Sequence, residues 1–398
     1  MNLNRPLKLK NRIQPYAWGS RDALRQLFGI ANPDNRPQAE IWMGAHPKSP
    51  SMAELKERGD QPLNNLIAEH GDQLLGEGVS RKFGKQLPYL FKVLSAAEPL
   101  SIQAHPTKEQ AEKGFQRENQ AGIPVDAGHR NYRDDNHKPE LIYALTPFRA
   151  MNGFRPLNDI ITLFRQLDSS VLTELLDAFE SNLSEAGLKG FYGHLMQLDD
   201  LLRKQAVTEA LAVAMKSEEP ALQELVKLND KYPLDIGVFS PLLLNLVELE
   251  PGEAMFLDAG TLHAYLEGTG LEVMASSDNV LRGGLTPKHV DVAELLGTIR
   301  FIPKLSNQIK VDPEVKGNSV NYPVPVDDFA FEIETVDSLT DCRSPETVEL
   351  LFCQEGNVEI VSDDEEIKLN AADSCLLPAG VHYKLVGKGK IVRVSCKV

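Results

Sequence analysis

Short apolar runs separated by polar turns fill residues 1–153, and runs such as Leu87–Leu94 and Leu100–His105 predict short strands. Helical spacing intervenes at Asp22–Phe28 and Leu63–Leu75. From Arg155 to about Lys231 the period changes. Ile160, Ile161, Phe164 and Leu167 recur at helical spacing, as do Leu172, Leu175, Leu176 and Phe179, then Leu195, Leu198, Leu201 and Leu202. Further helices follow through Leu211–Met215 and Leu222–Leu228, so this stretch predicts an all-helical insert of amphipathic helices. Nothing in it looks chemical, and His194 reads as a packing or surface residue. After Pro233 the strand-like pattern returns and continues to Val398.

A weak repeat lies inside the strand-rich material. Glu253-Ala-Met-Phe-Leu-Asp-Ala-Gly260-Thr-Leu-His263 can be laid on Asp373-Ser-Cys-Leu-Leu-Pro-Ala-Gly380-Val-His382, with the acid and the Ala-Gly pair in register and the histidine displaced by one. An acidic turn, a short buried strand, a glycine bend and a histidine turned back inward describe one strand of a small jelly-roll barrel. Two barrels are expected, one for each copy.

Composition narrows the function. The 398 residues predict two or three domains. A formal net charge of −15 argues against nucleic acid or an anionic membrane as partner. No apolar run approaches the roughly 18–20 residues of a bilayer span, and Met1–Gln14 has no apolar signal segment. The four cysteines (Cys342, Cys353, Cys375 and Cys396) lack close spacing, which predicts reduced, buried thiols in a cytoplasmic protein. An anionic substrate would need specific lysines and arginines close to the other site residues.

The chemistry is concentrated in separated motifs. In Pro99-Leu-Ser101-Ile-Gln103-Ala-His105-Pro106, Gln103 and His105 share one face of a strand. Asn136-His137-Lys138-Pro139-Glu140 joins a base, a cation and a carboxylate, and Pro139 favours extended geometry at Lys138. His263 stands at the rim of the first barrel repeat, with Tyr265 two residues on. Gln103, His105, Glu140 and His263 together would offer two nitrogens and two oxygens, a set that suits zinc. Taken singly, a strand histidine is more often structural than a ligand, and glutamine is an uncommon ligand. The conjunction carries the reading.

A further segment runs Leu271-Glu272-Val-Met-Ala-Ser-Ser277-Asp278-Asn279-Val-Leu-Arg282-Gly-Gly284-Leu-Thr286-Pro287-Lys288. It resembles the signature of type I mannose-6-phosphate isomerases, the zinc-dependent phosphomannose isomerases of the cupin superfamily. Tyr16-Ala-Trp18-Gly19, Ala39-Glu40-Ile-Trp42-Met43-Gly44-Ala-His46-Pro47 and Tyr89-Leu-Phe-Lys92-Val-Leu carry the same resemblance, as do Gln103-Ala-His105-Pro106 and His137-Lys138-Pro139-Glu140. It extends from about Pro15 to Val398, loosely in the insert and the C-terminal barrel. Gly283 departs from the more common alanine.

The resemblance implies one zinc per chain on Gln103, His105, Glu140 and His263, with Arg282 as the catalytic arginine. His46 and His289 lie in family motifs but are not ligands there. The implied fold is mainly β: a cupin catalytic barrel (1–154 and 236–310) interrupted by the helical insert (155–235), then a cupin-like barrel (311–398). The implied reaction interconverts mannose 6-phosphate and fructose 6-phosphate through an enediol. Glu272 and Lys138 are expected to share the proton handling. Arg282 and Lys288, with Lys92 as a possible third, would meet the phosphate or enediolate, and Trp18 would wall the sugar. Ser101, His137, Tyr265 and Asp278 complete the expected substrate contacts. His382 has no Gln-x-His partner, so the C-terminal barrel is expected to be metal-free and structural. The chain is expected to be a monomer or weak homo-oligomer. The competing expectations are a cupin oxygenase, which would present a more His-rich set, and a cupin that binds a phosphorylated sugar without isomerising it.

Overall fold

The computed structural model describes residues 3–56, 58–363 and 365–398. It is mainly β, with two large antiparallel sheet systems and a block of helices between Leu157 and Lys231. Each sheet system curls into a jelly-roll barrel.

The first barrel is organised by one long strand, His263–Ala275. Its first half pairs with Phe148–Phe154 and, at His263, with Ile102–Ala104. Its second half pairs with Tyr89–Ala96 on one side and Glu140–Ala144 on the other. The strand bends between the two sets at Gly268, whose φ of +124° and 2.7 Å approach of a would-be Cβ to the Pro147 carbonyl exclude larger residues. Strand alternation then sorts the side chains. Leu141, Tyr143, Phe91, Val93, Leu271 and Val273 pack outward against Phe329, Phe331, Leu350 and Phe352 of the second barrel. Leu94 and Ile142, of opposite parity, fill the barrel interior with Tyr265, which lies before the register shift at Tyr265–Glu267, and Lys92, Glu140 and Glu272 share the parity of Leu94 and Ile142.

The expected strands at Leu87–Leu94 and Leu100–His105 are present as Tyr89–Ala96 and Ile102–Ala104. The helices expected at Asp22–Phe28 and Leu63–Leu75 are Ala23–Phe28 and Leu63–Leu75. Five helices form the insert: Leu157–Arg165, Thr173–Glu180, Glu185–Met196, Asp200–Ala214 and Pro220–Lys231. The leucine series 195, 198, 201 and 202 is not one helix. Asp199 accepts from the backbone N–H groups of Leu201 and Leu202, capping a new helix there, and leaves Leu201 exposed. The insert has no separate core. Phe164, Phe179, Phe191 and Leu225 join one cluster with Ile102, Ala104, Leu262 and Leu281, so the helices buttress the sheet that carries Gln103 and His263.

The repeat is real, with one correction. Strands Ala254–Leu257 and Ser374–Leu377 each lead through a turn, with Gly260 at φ +76° and Gly380 at φ +78°, into a 13-residue strand. Those strands begin at His263 and Tyr383, each three residues after its glycine, so Tyr383 and not His382 stands where His263 does. His382 is exposed. Leu257 pairs with Glu140 in the first barrel and Leu377 with Glu349 in the second. Likewise, Lys92 pairs with Glu272, and Glu332 with Arg393. Arg393 is 5% exposed and ion-pairs with Glu332, Glu334 (2.7 Å) and Glu349 (3.4 Å), while Tyr383 donates to Glu349 at 2.8 Å. A guanidinium network therefore fills the second barrel.

Leu7–Lys10 pairs with Ser374–Leu377, and Met52–Ala53 with Leu7–Lys10, so the segment 1–154 contributes to both sheet systems. Of the free cysteines, Cys353, Cys375 and Cys396 are buried as expected, but Cys342 is exposed.

Candidate metal centre and active site

Three buried donors meet at one end of the first barrel. The ligating atoms of His105, Glu140 and His263 lie within 4.8 Å of one another. Nε2 of His105 is 3.4 Å from Glu140 Oε1, and Nε2 of His263 is 3.3 Å from Glu140 Oε2. Each imidazole is oriented from behind: His105 Nδ1 donates to the Asn279 carbonyl at 2.7 Å and His263 Nδ1 to the Thr261 carbonyl at 2.9 Å. With the proton held on Nδ1, each Nε2 turns a lone pair toward the carboxylate. Both Nε2 atoms and Glu140 Oε2 are buried without a hydrogen-bond partner. Three orphaned inward acceptors are costly unless a cation joins them, and the set fits a metal such as zinc. Burial, reinforced by Lys138, pushes the His105 imidazole down to about 4, which keeps it neutral and able to ligate. Although burial opposes its charge, Glu140 is held well below the usual carboxylate range by Lys138 and His105.

Gln103 belongs to the same patch. It pairs with His263 on one side and with Arg282 on the other. Directly opposed residues of adjacent strands share a face, so the amide, the imidazole and the guanidinium are presented together. Lys138 Nζ is 2.8 Å from Glu140 Oε1.

Behind the donors lies a buried charge relay. Glu272 accepts from the Tyr265 hydroxyl at 2.9 Å and from Lys92 at 3.1 Å. Lys92 also reaches Glu40 at 3.5 Å, and Glu40 accepts from the Trp42 indole at 2.7 Å. Burial pushes the Glu272 carboxyl up, opposed by Lys92 and reinforced by Glu140. Burial works against the Lys92 charge, yet Glu40, Glu272 and Glu140 hold its pKa well above the ordinary lysine value. Lys92 is thus committed to two carboxylates.

Arg133, which the sequence reading did not single out, stands near Arg282 and Lys288. Burial, then repulsion from Arg133, lowers the Arg282 pKa, and burial followed by Arg282 and Arg133 lowers that of Lys288. The three cations repel one another, an arrangement that an anion between them would relieve.

The remaining expected contacts have partners of their own in the fold. His137 Nε2 is 3.0 Å from both oxygens of Asp328, turned toward the second barrel in a cleft of ≈ 580 Å³ shared with Lys82 and Pro325. Asp278 is taken by Lys48 at 2.7 Å and His46 at 3.5 Å; burial would raise its carboxyl, but these two hold it well below the usual range. Trp18 is half-buried, stacked on Tyr16 with ring centroids 5.7 Å apart, and borders the barrel cluster. Ser101 is half-buried immediately before the Gln103 strand. Asn279 and Asp134, also missed, knot the 133–136 loop to the 277–279 segment through several hydrogen bonds. Asn279 stood inside the quoted motif and Asp134 three residues before His137, but nothing in their spacing separates a buried clasp from a surface turn.

A jelly-roll barrel with an inward His-Glu-His group, a glutamine alongside and a cationic trio nearby defines a metal-dependent enzyme class that handles an anionic substrate. Three family models match in order: phosphomannose isomerase type I catalytic domain over residues 7–157, its helical insertion domain over 165–244, and the mannose-6-phosphate isomerase cupin domain over 318–396. The chain belongs to the type I phosphomannose isomerase family. It is 43% identical to mannose-6-phosphate isomerase of Escherichia coli (strain K12) over 98% of this chain and 100% of that one. The identity to the Homo sapiens mannose-6-phosphate isomerase is 33%, over 93% and 96%. A crystal structure of mannose 6-phosphate isomerase bound with zinc and yttrium superposes with a TM-score of 0.92 at 42% identity, covering 99% of this chain and 100% of that one.

Proposed function

We propose that this chain is an aldose–ketose isomerase interconverting D-mannose 6-phosphate and D-fructose 6-phosphate with one zinc ion. Gln103, His105, Glu140 and His263 would hold the metal. The observation that carries this reading is the trio of orphaned acceptors, His105 Nε2, His263 Nε2 and Glu140 Oε2, one strand away from Arg282. Bound zinc supplies Lewis-acid polarisation of adjacent substrate oxygens.

The protein groups do the rest. Arg282 presents its planar fork beside Gln103, where negative charge develops on the sugar oxygens as the enediol forms. Arg133 and Lys288 take the phosphate and so fix the distance from C6 to the reacting carbons. Lys138, 2.8 Å from Glu140, stands at the reacting end and, in its neutral amine form, would take the proton from one carbon and return it to the next. Glu272, with both oxygens engaged by Tyr265 and Lys92, keeps the buried charges aligned and leaves direct proton transfer to Lys138. The interior wall of Tyr265 and Leu94 excludes water from the chemistry. No helix among the described residues is long and apolar enough to cross a membrane. We place the enzyme in the cytoplasm as a monomer or weak homo-oligomer.

A coupled assay for fructose 6-phosphate formation from mannose 6-phosphate, with and without chelator, tests the reading. Turnover that is lost on chelation and restored by zinc supports it. Sugar phosphate binding without turnover in zinc-replete protein would replace it with a non-isomerising cupin.

A further inference from the structure

Asn279 is fully buried and uses every hydrogen-bonding group it has. Its backbone carbonyl accepts from His105 Nδ1 at 2.7 Å. Its Oδ1 accepts the backbone N–H of Arg133 at 2.7 Å and that of Asp134 at 3.2 Å. Its Nδ2 donates to the carbonyls of Asp134 at 2.9 Å and Asn136 at 2.8 Å, and to Asp134 Oδ1 at 3.1 Å. Asp134 returns the grip, accepting from the Ser277 hydroxyl at 2.8 Å and the Asp278 N–H at 2.7 Å. One residue thus touches a metal-facing imidazole with its backbone and the loop leading to Lys138 and Glu140 with its side chain.

We propose that Asn279 is a positioning residue that couples the aim of His105 to the placement of the 133–138 loop, so that metal retention and phosphate binding depend on the same amide. The inference rests on the zinc isomerase reading above. The amide is singular for this task because it both accepts two N–H groups and donates to two carbonyls. Aspartate keeps the acceptor but loses both donors and faces Asp134, serine keeps one donor and one acceptor at shorter reach, and alanine keeps neither. The carbonyl behind His105 is backbone and survives substitution, so the side chain acts by fixing where that carbonyl sits; disturbing the support behind a metal-ligating histidine typically costs roughly 10–100-fold in metal affinity. Freeing the loop displaces Arg133, which the phosphate needs, and Lys138, which the proton needs.

The test compares wild type, Asn279→Ser and Asn279→Ala as zinc-loaded full-length protein. Zinc transfer to a chromogenic chelator, hydrogen exchange across residues 131–138, and KM and kcat for mannose 6-phosphate are measured on the same preparations. The expected order is graded: zinc release accelerates from wild type to serine to alanine, reaching at least tenfold, with faster exchange in the loop and a KM raised several-fold. If the alanine variant does not fold, the serine variant alone must show the intermediate zinc release and KM. A lowered melting temperature with zinc release and KM within twofold of wild type would mean a merely structural residue and overturns the inference. Wild-type protein that takes up no zinc overturns both this inference and the function. Wild-type protein that holds zinc without turning over mannose 6-phosphate overturns only the isomerase reading, and the zinc release series still decides this one.

Discussion

The Lys138 ammonium stands 2.8 Å from Glu140, so the carboxylate that faces both imidazoles is already paired to a cation. A dication arriving between His105 and His263 must share that carboxylate, and its hold depends on both nitrogens. Chelation is expected to abolish turnover and zinc to restore it. His105→Ala or His263→Ala should lose bound metal and turnover together, read by elemental analysis and the coupled assay. Full turnover by metal-free protein would end the zinc reading.

The second barrel should be separable from the chemistry. Arg393 is buried among Glu332, Glu334 and Glu349, and removing it leaves carboxylates without their cation. Breaking a buried pair in this way typically costs about 3–5 kcal/mol. Arg393→Ala should therefore lower the denaturation midpoint sharply while molecules that remain folded turn over normally. His382→Ala, at an exposed position, should change neither stability nor turnover. A hundredfold loss of turnover in folded His382→Ala, about 2.7 kcal/mol of barrier, would show that this barrel takes part in catalysis.

Much of this was legible in the chain because strand alternation is a local rule. Gln103 and His105 could be put on one face from spacing alone, and the Ala-Gly repeat located both long strands. Pairing across distant segments was not legible. The one-residue displacement of histidine in the repeat suggested His382, whereas the turn after Gly380 delivers Tyr383 to the strand start. Lys92 was expected to face the phosphate or enediolate, and its pairing with Glu40 and Glu272 comes from packing that spacing does not show. Arg133 lacked any signal because its place is set by a hydrogen bond to Asn279, 146 positions away. Side chains whose role depends on a loop closing over them have no period to read.

Asp278 supplies a pH dependence. Its pKa is depressed in the fold by His46 and Lys48, so the unfolded chain binds the proton more readily. The stability it contributes is present above the unfolded value, near pH 4, and is lost as pH falls toward the folded value. Because Lys48 is exposed, the contribution is expected to be about 1 kcal/mol. Asp278→Asn should therefore be less stable than wild type at pH 7, and the gap should narrow as pH falls below about 4. Denaturation midpoints of both proteins across that range check the sign; a gap that widens on acidification contradicts it.

Arg282 provides the test that separates transition-state from ground-state roles. It lies directly across from Gln103, on the far side from His263, and is half-buried near Arg133 and Lys288. If its fork meets charge that develops only as the enediol forms, Arg282→Ala should lower kcat far more than it raises KM. Loss of one such preorganised donor typically costs on the order of 10²–10³ in rate. Zinc content should survive, because the metal donors are other residues. Arg282→Lys should rescue little, since a point charge does not reproduce a planar fork. Lys288→Ala should show the opposite split, a raised KM with kcat nearly kept, because the phosphate is bound alike in substrate and transition state. Steady-state kinetics of the three variants, with zinc measured on the same samples, distinguish the roles: a KM-only effect at Arg282 would assign it to the phosphate instead.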